Sequence, residues 1–218
     1  MELERVIESI NRNYKIKNIL HLGAHLGGEV DFYDKLNPES IYWFEANPEL
    51  IDGLKTNLEK YPNLNQTIFP YAASSKNEKL NFNLIYSNDQ TNTGCSSLKE
   101  LEYHTVQYPH IQKIRTVEVE AVNVGEYLTA NNHITDFELI NMDIQGAEWD
   151  VLSTTECLFS NTLPFQMFVI EASEKEMYKG MKLEPELTAF MESKGFKKHF
   201  FQQMHYNWGD MLYVKNIN

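Results

Sequence analysis

Two local periods alternate along this chain, and that alternation most narrows what it can fold into. Residues 17–22, Lys-Asn-Ile-Leu-His-Leu, read as a short buried strand ending at Gly23, and residues 28–36 carry helical spacing. A second apolar run, Ile41-Tyr42-Trp43-Phe44, predicts a strand. Asn47 then caps a helix whose first turn takes Pro48 and which continues through Leu50, Leu54 and Leu58. Residues 66–71 make a third strand. The rhythm returns later as strand 137–142, helix 147–157, strand 165–171 and helix 184–194. Residues 196–203 and 209–215 then predict an antiparallel hairpin.

Leu3, Val6, Ile7 and Ile10 recur at helical spacing, so residues 2–13 open the chain as an amphipathic helix. In the middle, 79–86 and 115–121 alternate with period two, the pattern of strands with one wet face. Residues 87–97 are all small or polar and read as a loop, and 87–115 as a whole reads as an irregular region over the site. No Pro/Gly/Ser linker divides the 218 residues, so 1–218 is read as one domain with 1–14 as its N-terminal helical segment. Alternating strand and helix implies an α/β fold, a mostly parallel sheet with helices on both faces. Right-handed crossovers put the ligand crevice at the carboxyl ends of the strands, where strand order reverses.

Three constellations fall at that crevice. The first is Leu20-His21-Leu22-Gly23-Ala24-His25-Leu26-Gly27-Gly28, a strand entering a glycine-rich turn. Its Gly23-x-x-x-Gly27-Gly28 spacing is neither the nicotinamide fingerprint nor a phosphate-binding P-loop. The second is Glu45, ending the second strand 22 residues after Gly23, where a carboxylate can accept both hydroxyl protons of a ribose. No Lys or Arg within the glycine turn is available for a pyrophosphate, so a nucleoside cofactor with an amino-acid tail fits better than a dinucleotide. The third is Asn141-Met142-Asp143-Ile144-Gln145-Gly146-Ala147-Glu148. Its Asp143 could neutralise a cation, orient an acceptor hydroxyl or act as a general base, while Glu148 suits a helix dipole.

Leu-Gly-Ala-His-Leu-Gly, Trp-Phe-Glu-Ala-Asn-Pro and Asp-Ile-Gln-Gly-Ala-Glu-Trp-Asp-Val-Leu together resemble the FkbM-type methyltransferases over about residues 17–215. Two further pieces are similar to family segments, Asn92-Thr93-Gly94-Cys95-Ser96-Ser97 and Trp208-Gly209-Asp210-Met211-Leu212-Tyr213. The resemblance implies a Rossmann-like class I fold with a seven-stranded, mostly parallel sheet and an antiparallel C-terminal hairpin. It also implies S-adenosylmethionine as cofactor and O-methylation of a hydroxyl on a glycan or small molecule. By the same resemblance Gly23, Ala24, His25 and Gly27 wrap the methionine part and Glu45 holds the ribose, with Ala46 beside it. Ala72 and Ala73 border the adenine, and Asp143 sits near the methionine amino group and the transferred methyl. Two residues depart from the pattern: His21 stands where class I enzymes usually carry an acid, and Gln145 replaces a usual Glu.

Charge and composition prune the partners. Lys plus Arg number 19 against 31 for Asp plus Glu, a net charge of −12, which argues against nucleic acid and anionic membrane surfaces. The acidic start Met1-Glu2-Leu3-Glu4-Arg5 is unlike a signal peptide, and apolar runs such as Met167–Ile170 fall far short of the ~18–20 residues that span a bilayer. A cytoplasmic protein is expected. Cys95 and Cys157 lack metal-ligand spacing, and no compact ligand cluster is seen, so the reaction is expected to need no metal. Further candidate bases are His104, His110, His205 and, at the end of Phe168-Val169-Ile170, Glu171. Two other readings remain open at this point: a non-catalytic adenosylmethionine-binding module, and a nicotinamide-dependent oxidoreductase, which would need the missing fingerprint.

Overall fold

The computed structural model describes residues 1–87, 94–205 and 207–217, with the backbone alone at 114 and 205. Its strands are β1 (Asn18–Leu22), β2 (Ser40–Phe44), β3 (Gln66–Phe69), β4 (Ala72–Ser74), β5 (Glu78–Ser87), β6 (Ile111–Asn123), β7 (Leu139–Met142), β8 (Gln166–Ser173), β9 (Lys197–His205) and β10 (Trp208–Lys215). Its helices are α1 (Glu2–Asn13), α2 (Val30–Leu36), α3 (Ile51–Leu58), α4 (His104–Gln107), α5 (Val124–Ala130), α6 (Glu148–Leu152) and α7 (Glu184–Ser193). Seven strands form the main sheet in the order β3-β2-β1-β7-β8-β10-β9. The first five are mutually parallel, and β10 lies antiparallel between β8 and β9.

Side chains alternate across each strand, so the sheet has two cores. Leu20, Leu22, Tyr42 and Phe44 point to the face covered by α5, α6 and α7. Ile19, Ile41 and Trp43 point to the other, under Leu3, Ile7 and Ile10 of α1, Tyr33 and Leu36 of α2, and Leu54 and Leu58 of α3. Every residue of β2 is buried, as expected of a parallel strand covered on both sides. Each fully buried leucine here is worth about 1.5–3 kcal/mol, so the short strands are held by their faces as much as by their ladders. β1 sits between β2 and β7, and the chain leaves it in opposite directions on the two sides. That reversal opens a crevice over the ends of β1, β2 and β7. The α/β class, the seven-stranded mostly parallel sheet and the terminal antiparallel hairpin are as the sequence predicts.

Several details differ from the sequence reading. The third strand stops at Phe69 because Pro70 has no N–H to continue a ladder, and Ala72–Ser74 then joins a separate sheet. That sheet, β4-β6-β5, is where the two period-two segments pair. Phe82, Leu84, Val119 and Ala121 pack around Ala72 on its inner face, while Lys79 meets Glu118 at 2.9 Å on the wet one. The helix expected over 147–157 is α6 followed by a 3-10 turn at Glu156–Leu158. Helix α5 had no predicted counterpart, although Asn123 caps it by accepting the Glu126 amide at 3.1 Å. Within 87–115, α4 and the start of β6 are regular, and residues 88–93 lie outside the described ones. Among the described residues no helix is long and apolar enough to cross a membrane.

Candidate active site

A cleft of ≈ 360 Å³ lies over the sheet reversal. The turn after β1 forms its floor. Gly23 holds φ +90, and a Cβ there would sit 1.8 Å from the Asp143 carbonyl oxygen, so the turns after β1 and β7 meet backbone to backbone. The amides of Gly23 and Ala24 both donate to the Phe44 carbonyl at 2.9 Å, tying this turn to the end of β2. His25, at φ +50, donates its amide to Glu45 Oε2 at 2.6 Å, and Asn47 donates its amide to Glu45 Oε1 at 2.7 Å. Each carboxylate oxygen retains acceptor capacity for a further donor. Burial pushes the Glu45 carboxyl up to about 7, against the pull of the Asn47, His25 and Ala46 amides.

Ala46, Ala72, Ala73, Phe82 and Leu98 make an apolar wall beside Glu45. Gly23, Ala24, His25, Glu45, Ala46, Ala72, Ala73 and Asp143 are therefore brought together, as one cleft lining. Gly27 is not: its φ is +72 and a Cβ would fall 2.9 Å from Leu54 Cδ1, so it seats the turn on α3 rather than facing the cleft. His21 also lies away from the cleft. It is buried beneath β1, stacked on Trp43 at 5.0 Å, with its Nδ1 3.0 Å from the Tyr33 hydroxyl. Burial lowers its pKa and favours a neutral ring.

A second cavity, ≈ 500 Å³, opens behind the first, and Asp143, Gln145, Glu29 and Gly94 line both. Gln145, at φ +54, is the hub of the junction. Its Nε2 donates to Asp143 Oδ1 and to Glu171 Oε2, the latter at 2.8 Å, while its Oε1 lies 2.6 Å from the Tyr178 hydroxyl. Ser97 Oγ donates to the Gln145 carbonyl at 2.6 Å and fastens the 94–98 segment over this turn. Glu148 closes the turn from below by accepting the Ile144 and Gly146 amides at 3.1 and 3.3 Å. Its burial raises the carboxyl to about 7. Desolvation also raises Asp143, opposed by Gln145 and His21. Glu171 is pushed up further, by burial and then by the carboxylates of Asp143, Glu148 and Asp210. Asp143 stays open to the cleft, so of the two Glu171 is the better holder of a shared proton.

A family model, the methyltransferase FkbM domain, matches residues 21–198, which carry the cleft and all of the second cavity's lining except Met1, Met204, Trp208 and Asp210. The chain belongs to this family. A relative, the 2-O-methyltransferase NoeI of Sinorhizobium fredii, is 22% identical over 165 residues, covering 74% of this chain. The chain spans 65% of that curated relative's length. Among solved structures, the precorrin-6y C5,15-methyltransferase of Geobacter metallireducens matches with TM-score 0.53 and 12% identity over 98% of this chain and 87% of its own. The magnesium protoporphyrin IX methyltransferase of Synechocystis, solved with bound S-adenosylmethionine, matches with TM-score 0.52 and 6% identity, covering 98% and 76%. At identities this low the structural likeness shows the class I methyltransferase fold alone.

The remaining candidates separate by where the fold puts them. His104 is buried in the second cavity's wall, its ring centroid 5.0 Å from that of Tyr108 and 5.7 Å from that of Tyr178, and its Nδ1 has no hydrogen-bond partner. Burial lowers its pKa. His110 and Glu171 line the same cavity. The side chain of His205, like Asn92 and Thr93, lies outside the described residues. Gly94, Cys95 and Ser96 border the two cavities, and Trp208 and Asp210 line the second, whereas Tyr213 is core. Among the described residues no group of His, Cys, Asp and Glu could hold a metal ion. Sequence reasoning missed Asn47, Tyr178, Phe82 and Leu98. Asn47 was legible only as a helix cap, whereas α3 starts at Ile51 with Leu50 at its cap and Asn47 accepts the Glu49 amide at 3.0 Å in the turn before it. Phe82 was legible only as one apolar beat of an alternating strand.

Proposed function

We propose that this FkbM domain transfers a methyl group from S-adenosylmethionine to a hydroxyl of a glycan or small-molecule acceptor. The observation that carries the reading is the pair of cavities meeting at Asp143, the first lined by Glu45 and an apolar wall and the second by Glu171 and Tyr178. The first cavity suits the cofactor. Glu45 is held by two amides with acceptor capacity to spare for ribose hydroxyls, and the apolar, alanine-rich wall suits a purine. Asn47 Nδ2, buried in the same lining without a partner, is a donor in want of a ligand acceptor. Gly23, Ala24 and His25 would hold the amino-acid tail, with Asp143 near its ammonium.

When bound, the cofactor supplies an electrophilic methyl on a sulfonium. The chain's own task is to hold the acceptor oxygen in line at the junction, where orientation provides most of the acceleration. As the oxygen attacks, its proton needs an acceptor. Asp143, oriented by the Gln145 amide and backed by Glu171, is the carboxylate at that point. The 2-O-methyltransferase relative supports an oxygen acceptor, and the net charge of −12 supports a glycan or small molecule over a nucleic acid. Calorimetric titration with S-adenosylhomocysteine is the test. The wild type should bind, and Glu45→Gln should weaken binding about 10- to 100-fold, the range for a hydrogen-bonded charge. Absence of binding by the wild type overturns the reading.

A further inference from the structure

The wall of the second cavity breaks a rule that most sheets obey. Glu171 on β8 and Asp210 on β10 stand directly opposite each other in the antiparallel register, and both line the cavity. Like charges so opposed are destabilising, and the usual remedy is a neighbouring cation. Among the described residues no Lys or Arg lines the cavity, and none of Glu29, Asp143, Glu171 or Asp210 forms an ion pair. The Met1 ammonium, whose residue reaches the rim, is engaged by Glu4 at 2.7 Å. Glu171 and Asp210 line the second cavity and not the first, so a cofactor in the first cleft leaves them unneutralised.

Two further observations point to a ligand rather than to a tolerated defect. Trp208, Tyr178 and Tyr108 share the lining, and aromatic faces attract cations. His104, 5% exposed and lining the same cavity, keeps Nδ1 without a partner, a polar atom that a ligand's hydroxyl or ammonium could satisfy. Local rules that a fold breaks without compensation collect at functional sites.

We propose that the second cavity is an acceptor subsite for a cation: a hydroxyl-bearing compound with a protonated amine, of the amino-sugar class, whose ammonium lies between Glu171 and Asp210 against the Trp208 face. Calling the ligand an acceptor rests on the methyltransferase reading; its charge does not. Anionic sugars, phosphorylated or carrying a carboxylate, are excluded by the same wall. Burial raises Asp210 to about 7 and Glu171 well above its ordinary value, so an entering cation should displace protons.

The test compares three sugars of one shape and different charge. With S-adenosylhomocysteine saturating, D-glucosamine, D-glucose and D-glucuronate are titrated calorimetrically in buffers of different ionisation heat. Glucosamine should bind about tenfold or more tighter than glucose, weaken with salt and release protons, and glucuronate should not bind. In Glu171→Gln/Asp210→Asn the preference should fall to about twofold or less while thermal stability holds or rises, because neutral amides replace two opposed carboxyls that cannot both ionise without repulsion. If that variant loses stability, the three-sugar comparison on the wild type decides alone. Equal or better binding of glucose or glucuronate, or no binding of any of the three, overturns the proposal. If S-adenosylhomocysteine binds and the amine preference is absent, this proposal fails and the methyltransferase reading stands. An amine preference without S-adenosylhomocysteine binding reverses that outcome.

Discussion

Glu45 and Gln145 are the residues through which pH should enter. Glu45 titrates at about 7 because burial outweighs the amides it accepts, and ribose hydroxyls would donate to its ionised form. A ligand that favours the ionised form binds better as pH rises through that value. Affinity for S-adenosylhomocysteine should therefore increase from about pH 6 to about pH 8, and Glu45→Gln should flatten the curve; a flat wild-type curve would remove Glu45 from the ribose site. Gln145 places one neutral donor between two acids, so Gln145→Glu would replace a bridge by a third negative charge. The acidic limb of the pH–activity profile should then move up by about a unit, with kcat reduced more than cofactor affinity. A profile identical to wild type would mean that the bridge has no part in proton removal. The replacement of a carboxylate at 145 was readable from the sequence, but its meaning was not. The left-handed φ of Gln145 and its partner Tyr178, 33 residues away, exist only once β7 and β8 are side by side.

At the scale of elements, the site is two turns pressed together, and each has a residue that cannot be exchanged freely. Gly23→Ala would put a methyl on the Asp143 carbonyl at a φ that alanine avoids. A loss of about 3 kcal/mol or more is expected, seen as a fall in Tm of about 6–12 °C for a chain of this size. A variant as stable as wild type would show that the two turns separate easily. Glu148 closes the other turn as a buried carboxyl whose pKa rises from 4.5 to about 7. The folded state then binds the proton more tightly than the unfolded chain does, so stability is full below about pH 4.5 and is lost as pH climbs through about 7. Glu148→Gln retains the acceptor oxygen and should make Tm less dependent on pH across that window, by up to about 3 kcal/mol. Strand and helix alternation was legible because each element buries one face at its own period. The second sheet was not, because the partner of a period-two strand is chosen by tertiary packing. Helix α5 was missed since its clearest signal, the Asn123 cap, precedes only seven residues.

For the whole molecule, the cofactor cleft belongs to no single layer. Its lining comes from the ends of β1, β2 and β7, from β4 and β5 of the small sheet, and from the 94–98 segment fastened through Ser97. A ligand there would bridge the main sheet, the small sheet and the 94–98 segment, so binding should raise the stability of the entire domain. Mass action sets the size of the effect: at a hundred times Kd the gain is about 2.7 kcal/mol, which for some 200 residues is about 5–10 °C in Tm. S-adenosylmethionine and S-adenosylhomocysteine should both produce it. NAD should not, because the glycine turn has neither the dinucleotide spacing nor a cation for a pyrophosphate. In Glu45→Gln, with binding weakened about 10- to 100-fold, the stabilisation at the same ligand concentration should shrink by about 1.3–2.3 kcal/mol. A shift with NAD alone would reverse the assignment of the cleft while leaving the fold untouched.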